Sequence, residues 1–209
     1  MKKITSFLVL FMAFSFASHA QFERLEVEEV TSIDGYKTYR VYAVLKSKGD
    51  LLDAVFGEKP NPITINSTSP FYQHPNGGAF AKDIQKSSLS QFPKLKYDSW
   101  VTIGYDNNYM NSVMFFGSMT TDSVAIEKDF RLDFEKGKNI LVSDGAWFVT
   151  PDQLQARGDD KNRVLLMQLT TKGKVTGSLN LHGRWHSRDE EGNLVPHVWE
   201  ERAVKFTAG

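Results

Sequence analysis

Five residues near the middle of the chain have side chains suited to ligand binding: Tyr72, Gln73, His74, Asp98 and Trp100. Tyr72 and Trp100 offer aromatic faces on which a sugar ring can stack, and the other three offer hydrogen-bonding groups. The first three lie in a long loop, and Asp98 and Trp100 begin the segment that follows it. We expect loop and segment to meet, so the sequence predicts a ligand-binding site at their junction.

This prediction depends on the direction of the Trp100 ring. In an extended chain, Val101 and Ile103 point to one side and Trp100 to the other, because side chains alternate with period two. An exposed Trp100 would be a platform for a ligand, whereas a Trp100 covered by the loop would belong to the core. Both interpretations remain open from the sequence.

The histidines near the C-terminus form the most evident candidate for a metal site. His182, His186 and His197 could act with Glu200 or Glu201 as ligands. On a strand, however, His182 and His186 are about 13 Å apart, which is too far for one ion. The sequence therefore predicts surface histidines and no metal site.

Calcium is the one cofactor that the sequence leaves open. Asp106-Asn107-Asn108 and Asp159-Asp160 have suitable oxygen ligands, but neither has the spaced acids and fixed glycine of a calcium loop. Turn formation explains both segments equally well. We predict no other cofactor.

No set of catalytic residues is evident. Asp98 could form a pair of carboxylates for sugar hydrolysis with Glu200 or Glu201, but nothing in the sequence fixes their separation. Ser99 follows Asp98 without the glycines that flank a nucleophilic serine turn. Thiol chemistry is excluded because the chain has no cysteine.

Alternation of β-branched and aromatic residues predicts an all-β fold, an antiparallel β-sandwich or jelly roll with a single domain. Tyr97–Gly104 is predicted to be a central strand, and 163–171 and 174–186 to form a hairpin that turns at Lys172-Gly173. Between them, the loop of residues 66–96 is either functional or a packed cover for the core. Further strands are predicted at 22–30 (an edge strand), 36–46, 51–56, 63–65, 113–119, 130–134, 140–142, 146–149 and 198–206.

Residues 1–20 have the form of a secretory signal peptide. Lys2 and Lys3 precede an apolar run, and Ser18-His19-Ala20 places small residues three and one before the expected cut. Cleavage after Ala20 would leave residues 21–209 as the domain, secreted or periplasmic and not attached to a membrane, with a net charge of −2. This charge and the scattered basic residues argue against nucleic acid as a partner.

Several short segments together resemble a pattern found in secreted proteins of environmental bacteria, a domain family of no established activity. They are Tyr39-Arg40-Val41-Tyr42, Val55-Phe56-Gly57, Phe71-Tyr72-Gln73, Gly77-Gly78, Tyr97-Asp98-Ser99-Trp100-Val101-Thr102-Ile103-Gly104 and Arg163-Val164-Leu165. The resemblance runs from about Tyr36 to Gly104 and again from Arg163 to Leu181, slightly less than half of residues 21–209, and it implies secretion. It transfers no catalytic role to any residue.

The sequence thus favours a secreted, non-enzymatic binding or adhesion module, whose partner is an extracellular polysaccharide or a surface protein. A small extracellular carbohydrate-active enzyme, a hydrolase or lyase that uses carboxylates, is the alternative. A structural surface or matrix protein is the third interpretation.

Overall fold

The computed structural model describes residues 21–117 and 123–209, and within them it contains eleven strands and one α-helix. Residues 1–20, the predicted signal peptide, and residues 118–119 of the predicted strand 113–119 lie outside the described residues. The elements are β1 Phe22–Ile33, β2 Tyr36–Leu45, β3 Leu51–Gly57, β4 Ile63–Ser67, β5 Trp100–Val101, β6 Met114–Gly117, α1 Ser123–Glu135, β7 Ile140–Val142, β8 Gly145–Phe148, β9 Arg163–Thr171, β10 Val175–Arg188 and β11 Leu194–Ala208.

The strands form two antiparallel sheets, which confirms the predicted all-β sandwich. The first sheet has the order β1-β2-β9-β5. In the second sheet, β11 pairs with β10 along the whole of one edge, while the other edge of β10 pairs with β4 near its start and with β3 further on. Strands β8 and β6 extend the sheet beyond β3, and β7 extends it beyond β4.

The main core lies between the two sheets. Val41 and Leu166 contribute from the first sheet and Ile65, Trp147 and Leu179 from the second, and all five are fully buried. A smaller cluster covers the outer face of the first sheet, where the loop of residues 68–99 lays Ala81, Ile84 and Leu95 over Tyr42, Trp100 and Leu165. The long loop is therefore a packed cover for one sheet.

Several local predictions are confirmed. β1 is an edge strand rich in glutamate, as expected for a strand that must not pair with another chain. Asp34 and Gly35 form the turn after it with φ of 51° and 79°.

Within the described ranges, no helix has the length and apolar character needed to cross a bilayer.

The predicted hairpin of residues 163–171 and 174–186 is wrong. β9 pairs with β2 and β5 in the first sheet, whereas β10 pairs with β3, β4 and β11 in the second. The turn at Lys172-Gly173 therefore carries the chain from one sheet to the other. β9 is buried on both faces, so its alternation could not reveal its partner.

The predicted strand at 130–134 is also wrong, because these residues lie in helix α1. Phe130 and Phe134 are four residues apart and lie on one helical face, where both are buried in the main core. Leu132 points elsewhere and is exposed. Three apolar residues at every second position fit a strand, but the two phenylalanines also fit a helix.

Tyr97–Gly104 is not a central strand. Pro93–Tyr97 forms a 3-10 turn, and only Trp100–Val101 pair regularly with β9, at the edge of the first sheet. The chain continues along β9 through backbone hydrogen bonds from Thr102 and Gly104. The predicted facing is nevertheless correct, since Val101 lies in the main core and Trp100 in the cluster beneath the loop.

Candidate functional site

Asp98 lies at the predicted junction but is completely buried. Its Oδ1 accepts a hydrogen bond from the backbone N–H of His74 at 2.6 Å, and its Oδ2 accepts one from Gly78 at 3.0 Å. Gly77 must be glycine here, because a Cβ would lie 1.9 Å from Asp98 Oδ2. Burial raises the pKa of Asp98 to about 7, and the backbone hydrogen bonds partly oppose this rise. Asp98 thus fixes the loop to the sheet.

Trp100 is only 2% exposed. Its ring is therefore covered by the loop and belongs to the core, which is the second of the two interpretations that the sequence left open. The guanidinium of Arg40 lies over its ring at 5.8 Å from the centroid. Asp98 and Trp100 therefore do not line an open site in this structure, although they lie where the sequence places them, beside the loop.

Tyr72, Gln73 and His74 remain partly exposed around the buried Asp98. The Tyr72 ring meets the edge of the Tyr36 ring at 5.5 Å, and Gln73 donates a hydrogen bond to the carbonyl of Ser99. His74 accepts a hydrogen bond from Asn76 at Nδ1, and burial lowers its pKa. These contacts hold Gln73 and His74 within the loop and Tyr72 against the start of β2.

A more open surface lies on the outer face of the second sheet, where β3, β8 and β6 run side by side. Ala54, Phe148 and Met114 face each other in one row across these strands, and Phe56, Ala146 and Phe116 in the next row. Phe116 and Met114 are exposed, and the other four are half-buried. Because each alanine stands beside phenyl rings, the face has a groove of about 370 Å³.

We call this cavity the outer groove; its apolar side comprises Ala54, Phe116, Ala146, Phe148, Val149 and Pro151. Its polar side is formed by Asp53, His182 and Arg184. The His182 Nδ1–H donates a hydrogen bond to Asp53 Oδ1 at 2.5 Å, and Arg184 Nε donates one to Asp53 Oδ2 at 2.9 Å. Asp53 itself is nearly buried, with 5% of its side chain exposed.

A β-bulge places Asp53 in this position. His182 pairs with Ala54 and Gly183 with Leu52, so β3 has one extra residue, Asp53, between these pairs. A bulge redirects a side chain and is common next to functional sites. Here it brings the carboxylate to the face of β10 that carries His182 and Arg184, which are two residues apart.

The charges around His182 favour its protonated form. The hydrogen bond to Asp53 raises the pKa of His182 most, and Glu200, its cross-strand neighbour on β11, adds to the rise. Burial and Arg184 act in the opposite direction. The outer groove therefore combines an apolar floor with a cationic, hydrogen-bonding edge.

Two other candidate residues from the sequence, His197 and Glu200, have structural partners. His197 stacks on Trp185 at 4.3 Å and shares a hydrogen bond with Ser187. Glu200 pairs with Arg202 at 2.7 Å. In residues 21–117 and 123–209, no group of three or more histidines and carboxylates converges as a metal site would require.

The two segments considered for calcium are held by protein contacts. Asp106 pairs with Arg40 at 3.0 Å. Asp159 accepts backbone hydrogen bonds from Lys161 and Arg163, which is turn chemistry. Calcium binding at either segment stays a prediction.

A second cleft, of about 600 Å³, lies between α1 and β7. It carries the carboxylates Glu58, Asp129, Asp133 and Asp144. Glu58 pairs with Arg202, and Asp133 pairs with Lys138 at 2.7 Å. The cleft has no aromatic floor comparable with that of the outer groove, since Phe130, the one ring among its lining residues, is buried in the core.

The sequence does contain a signal for the Asp53 site. Asp53 interrupts the apolar run from Leu51 to Phe56, and a carboxylate buried in a strand requires a cationic or hydrogen-bonding partner. Alternation on β10 places His182 and Arg184 on one face. The link between the two strands depends on their pairing and on the bulge, neither of which the sequence reveals.

Comparisons with known protein families, with curated proteins and with solved structures find no match to this chain. Any function must therefore be inferred from the arrangement of its own residues.

Proposed function

We propose that this chain is a secreted, non-enzymatic binding module that holds extracellular carbohydrate in the outer groove. The observation that carries the proposal is the pairing of a phenyl-lined floor with the Asp53–His182–Arg184 edge in a cavity of about 370 Å³. A sugar ring is complementary to both sides of this cavity, because it has an apolar face of C–H groups and a rim of hydroxyl groups.

The size and lining of the cavity support this proposal. Ligand sites are typically concave, mostly apolar and equipped with a few placed polar groups. Phe148 and Phe116 present rings on which a sugar can stack, and the polar edge supplies donors for its oxygens. The outer groove is preferred to the loop junction because Asp98 and Trp100 are buried there.

Glycan binding by the purified protein and by Phe148→Ala tests the proposal. One lost ring should weaken binding by about 0.5–1.5 kcal/mol, the contribution of an aromatic contact beyond its burial. Tyr109→Ala is the matched control, because it removes a ring that is exposed outside the outer groove. Equal binding by both variants would refute the outer groove as the site, and no glycan bound by the parent would favour the matrix protein.

A carbohydrate-active enzyme is the second candidate, and the Asp53–His182 hydrogen bond favours it. The hydrogen bond from Nδ1 to a carboxylate raises the pKa of His182 and so makes its imidazole a stronger base. In the neutral form of His182, Nε2 can accept a proton from water or from a sugar C–H group. Release of reducing ends or unsaturated sugars from polysaccharides by the parent, and its loss in His182→Gln, would support an enzyme. Binding without any product would leave the binding module.

A further inference from the structure

Arg184 has hydrogen-bonding capacity that the fold does not use. Its Nε is bound to Asp53, and Asp53 is the only side-chain partner that it has among the described residues. Both terminal nitrogens of the guanidinium are therefore left for a ligand. The side chain is 40% exposed and lines the outer groove, as Phe148 does.

The carboxylates near Arg184 are already engaged. Asp53 uses one oxygen for His182 and the other for Arg184. Glu200, the cross-strand neighbour of His182 on β11, pairs with Arg202 at 2.7 Å. The edge of the outer groove thus offers N–H donors, and the carboxylates of Asp53 and Glu200 beside it have cationic partners.

We propose that the sugar bound in the outer groove is acidic, and that Arg184 holds its carboxylate while the ring lies on the phenyl floor. This inference rests on the proposed carbohydrate binding. Two parallel N–H groups on a planar guanidinium match the two oxygens of a carboxylate, a pairing that lysine cannot make. Uronic acids are common polysaccharide sugars that carry this group, so polyuronates are the class of polysaccharide that we expect.

Calorimetric titration with two forms of one oligogalacturonide, free acid and fully methyl-esterified, tests the inference. The esterified form keeps the sugar ring and loses the charge. The free acid should bind about tenfold to a hundredfold more tightly, the value of a charge-assisted hydrogen-bonded pair. Arg184→Gln should abolish this preference and Arg184→Lys should weaken it.

Arg188→Gln is the matched control, because Arg188 is an exposed arginine on the same strand and lies outside the outer groove. Equal affinity for both forms, with loss in Phe148→Ala, would overturn the acidic ligand and leave carbohydrate binding intact. Tighter binding of a sulfated galactan than of the free uronate would mean that Arg184 binds a sulfate ester. This result would also overturn the proposed uronate ligand. No binding of any glycan would refute the proposed function itself.

Discussion

The indole ring of Trp100 fills the space between the outer face of the first sheet and the loop that covers it, in contact with the cluster of Tyr42, Leu95 and Leu165. Trp100→Ala would remove this burial and leave a cavity. We expect the free energy of unfolding to fall by about 3–5 kcal/mol, as for other buried aromatic residues. Urea denaturation measures this loss.

Tyr109→Ala serves as the control for Trp100→Ala, because its ring is 67% exposed. It should change stability by less than about 0.5 kcal/mol. A loss below about 1 kcal/mol in Trp100→Ala would mean that the loop does not bury the ring.

Asp98 should make stability depend on pH. Its pKa is about 7 in the folded protein and near 3.8 in the unfolded chain. Between pH 3.8 and pH 7, the carboxyl group of Asp98 is therefore protonated in the folded protein and ionised in the unfolded chain. Stability from this group is therefore greatest below pH 3.8 and falls as the pH rises to about 7. The decrease is about 4 kcal/mol at most.

Asp98→Asn tests this pH dependence, because the amide does not titrate. Its NH2 group would face one of the two backbone N–H donors, from His74 or Gly78, so a loss of about 1–3 kcal/mol is expected at low pH. Unfolding measured across the pH range should give a flatter profile for the variant. The exposed Asp160→Asn should retain the parent profile, and an unchanged slope in Asp98→Asn would assign the pH dependence to other groups.

At the scale of elements, the alternation of apolar and polar residues predicted most strands. It did not reveal the pairing of a strand that is buried on both faces, and it gave the wrong element where a sequence fits both the strand period and the helix period. β2 and the Asp34-Gly35 turn were predictable because one pattern fits one structure. β9 could not reveal its sheet, because all but its first residue are buried. Phe130 and Phe134 satisfy both the strand period and the helix period.

The candidate site, too, could be predicted from the sequence only in part. Proximity of the long loop to Asp98 and Trp100 was predictable from their order in the chain, but the depth of their burial was not, because it depends on how the loop folds over the sheet. The Asp53–His182 contact joins residues 129 positions apart. It depends on the register of β3 against β10 and on one bulge.

The close approach of β3 and β11 to β10 requires Gly183. A Cβ there would lie 2.0 Å from the carbonyl oxygen of Leu51 and 2.3 Å from the ring of Trp199. Gly183→Ala should therefore destabilise the protein by about 1–3 kcal/mol or more, since the backbone of a central strand has little freedom to move.

Gly49→Ala is the matched control for Gly183→Ala, because nothing lies within 4 Å of its added Cβ. It should leave the free energy of unfolding nearly unchanged or raise it by a few tenths of a kcal/mol, about the effect of a less flexible unfolded chain. Thermal unfolding of both variants measures the difference. Equal melting temperatures would show that the strands separate easily at Gly183.

At the scale of the whole molecule, the two outer faces of the sandwich differ. The first sheet is covered by the loop of residues 68–99, which buries Trp100. The second sheet exposes Phe116 and Met114 beside half-buried Phe148. An exposed apolar face favours contact with a partner, because the free energy falls when apolar surface leaves water.

Export is the prediction that concerns the whole chain. A basic start, an apolar run and Ser18-His19-Ala20 predict cleavage after Ala20, because the peptidase site requires small residues three and one before the cut. In a bacterial host, mass spectrometry of the periplasmic or culture fraction should find Gln21 at the N-terminus, in part cyclised. Ala20→Leu should block cleavage and leave a larger, membrane-associated form, whereas Thr31→Leu, on a strand of the domain, should be processed normally. A parent protein that keeps Met1 and stays in the cytoplasm would contradict export, and with it the extracellular partner that we propose for the outer groove.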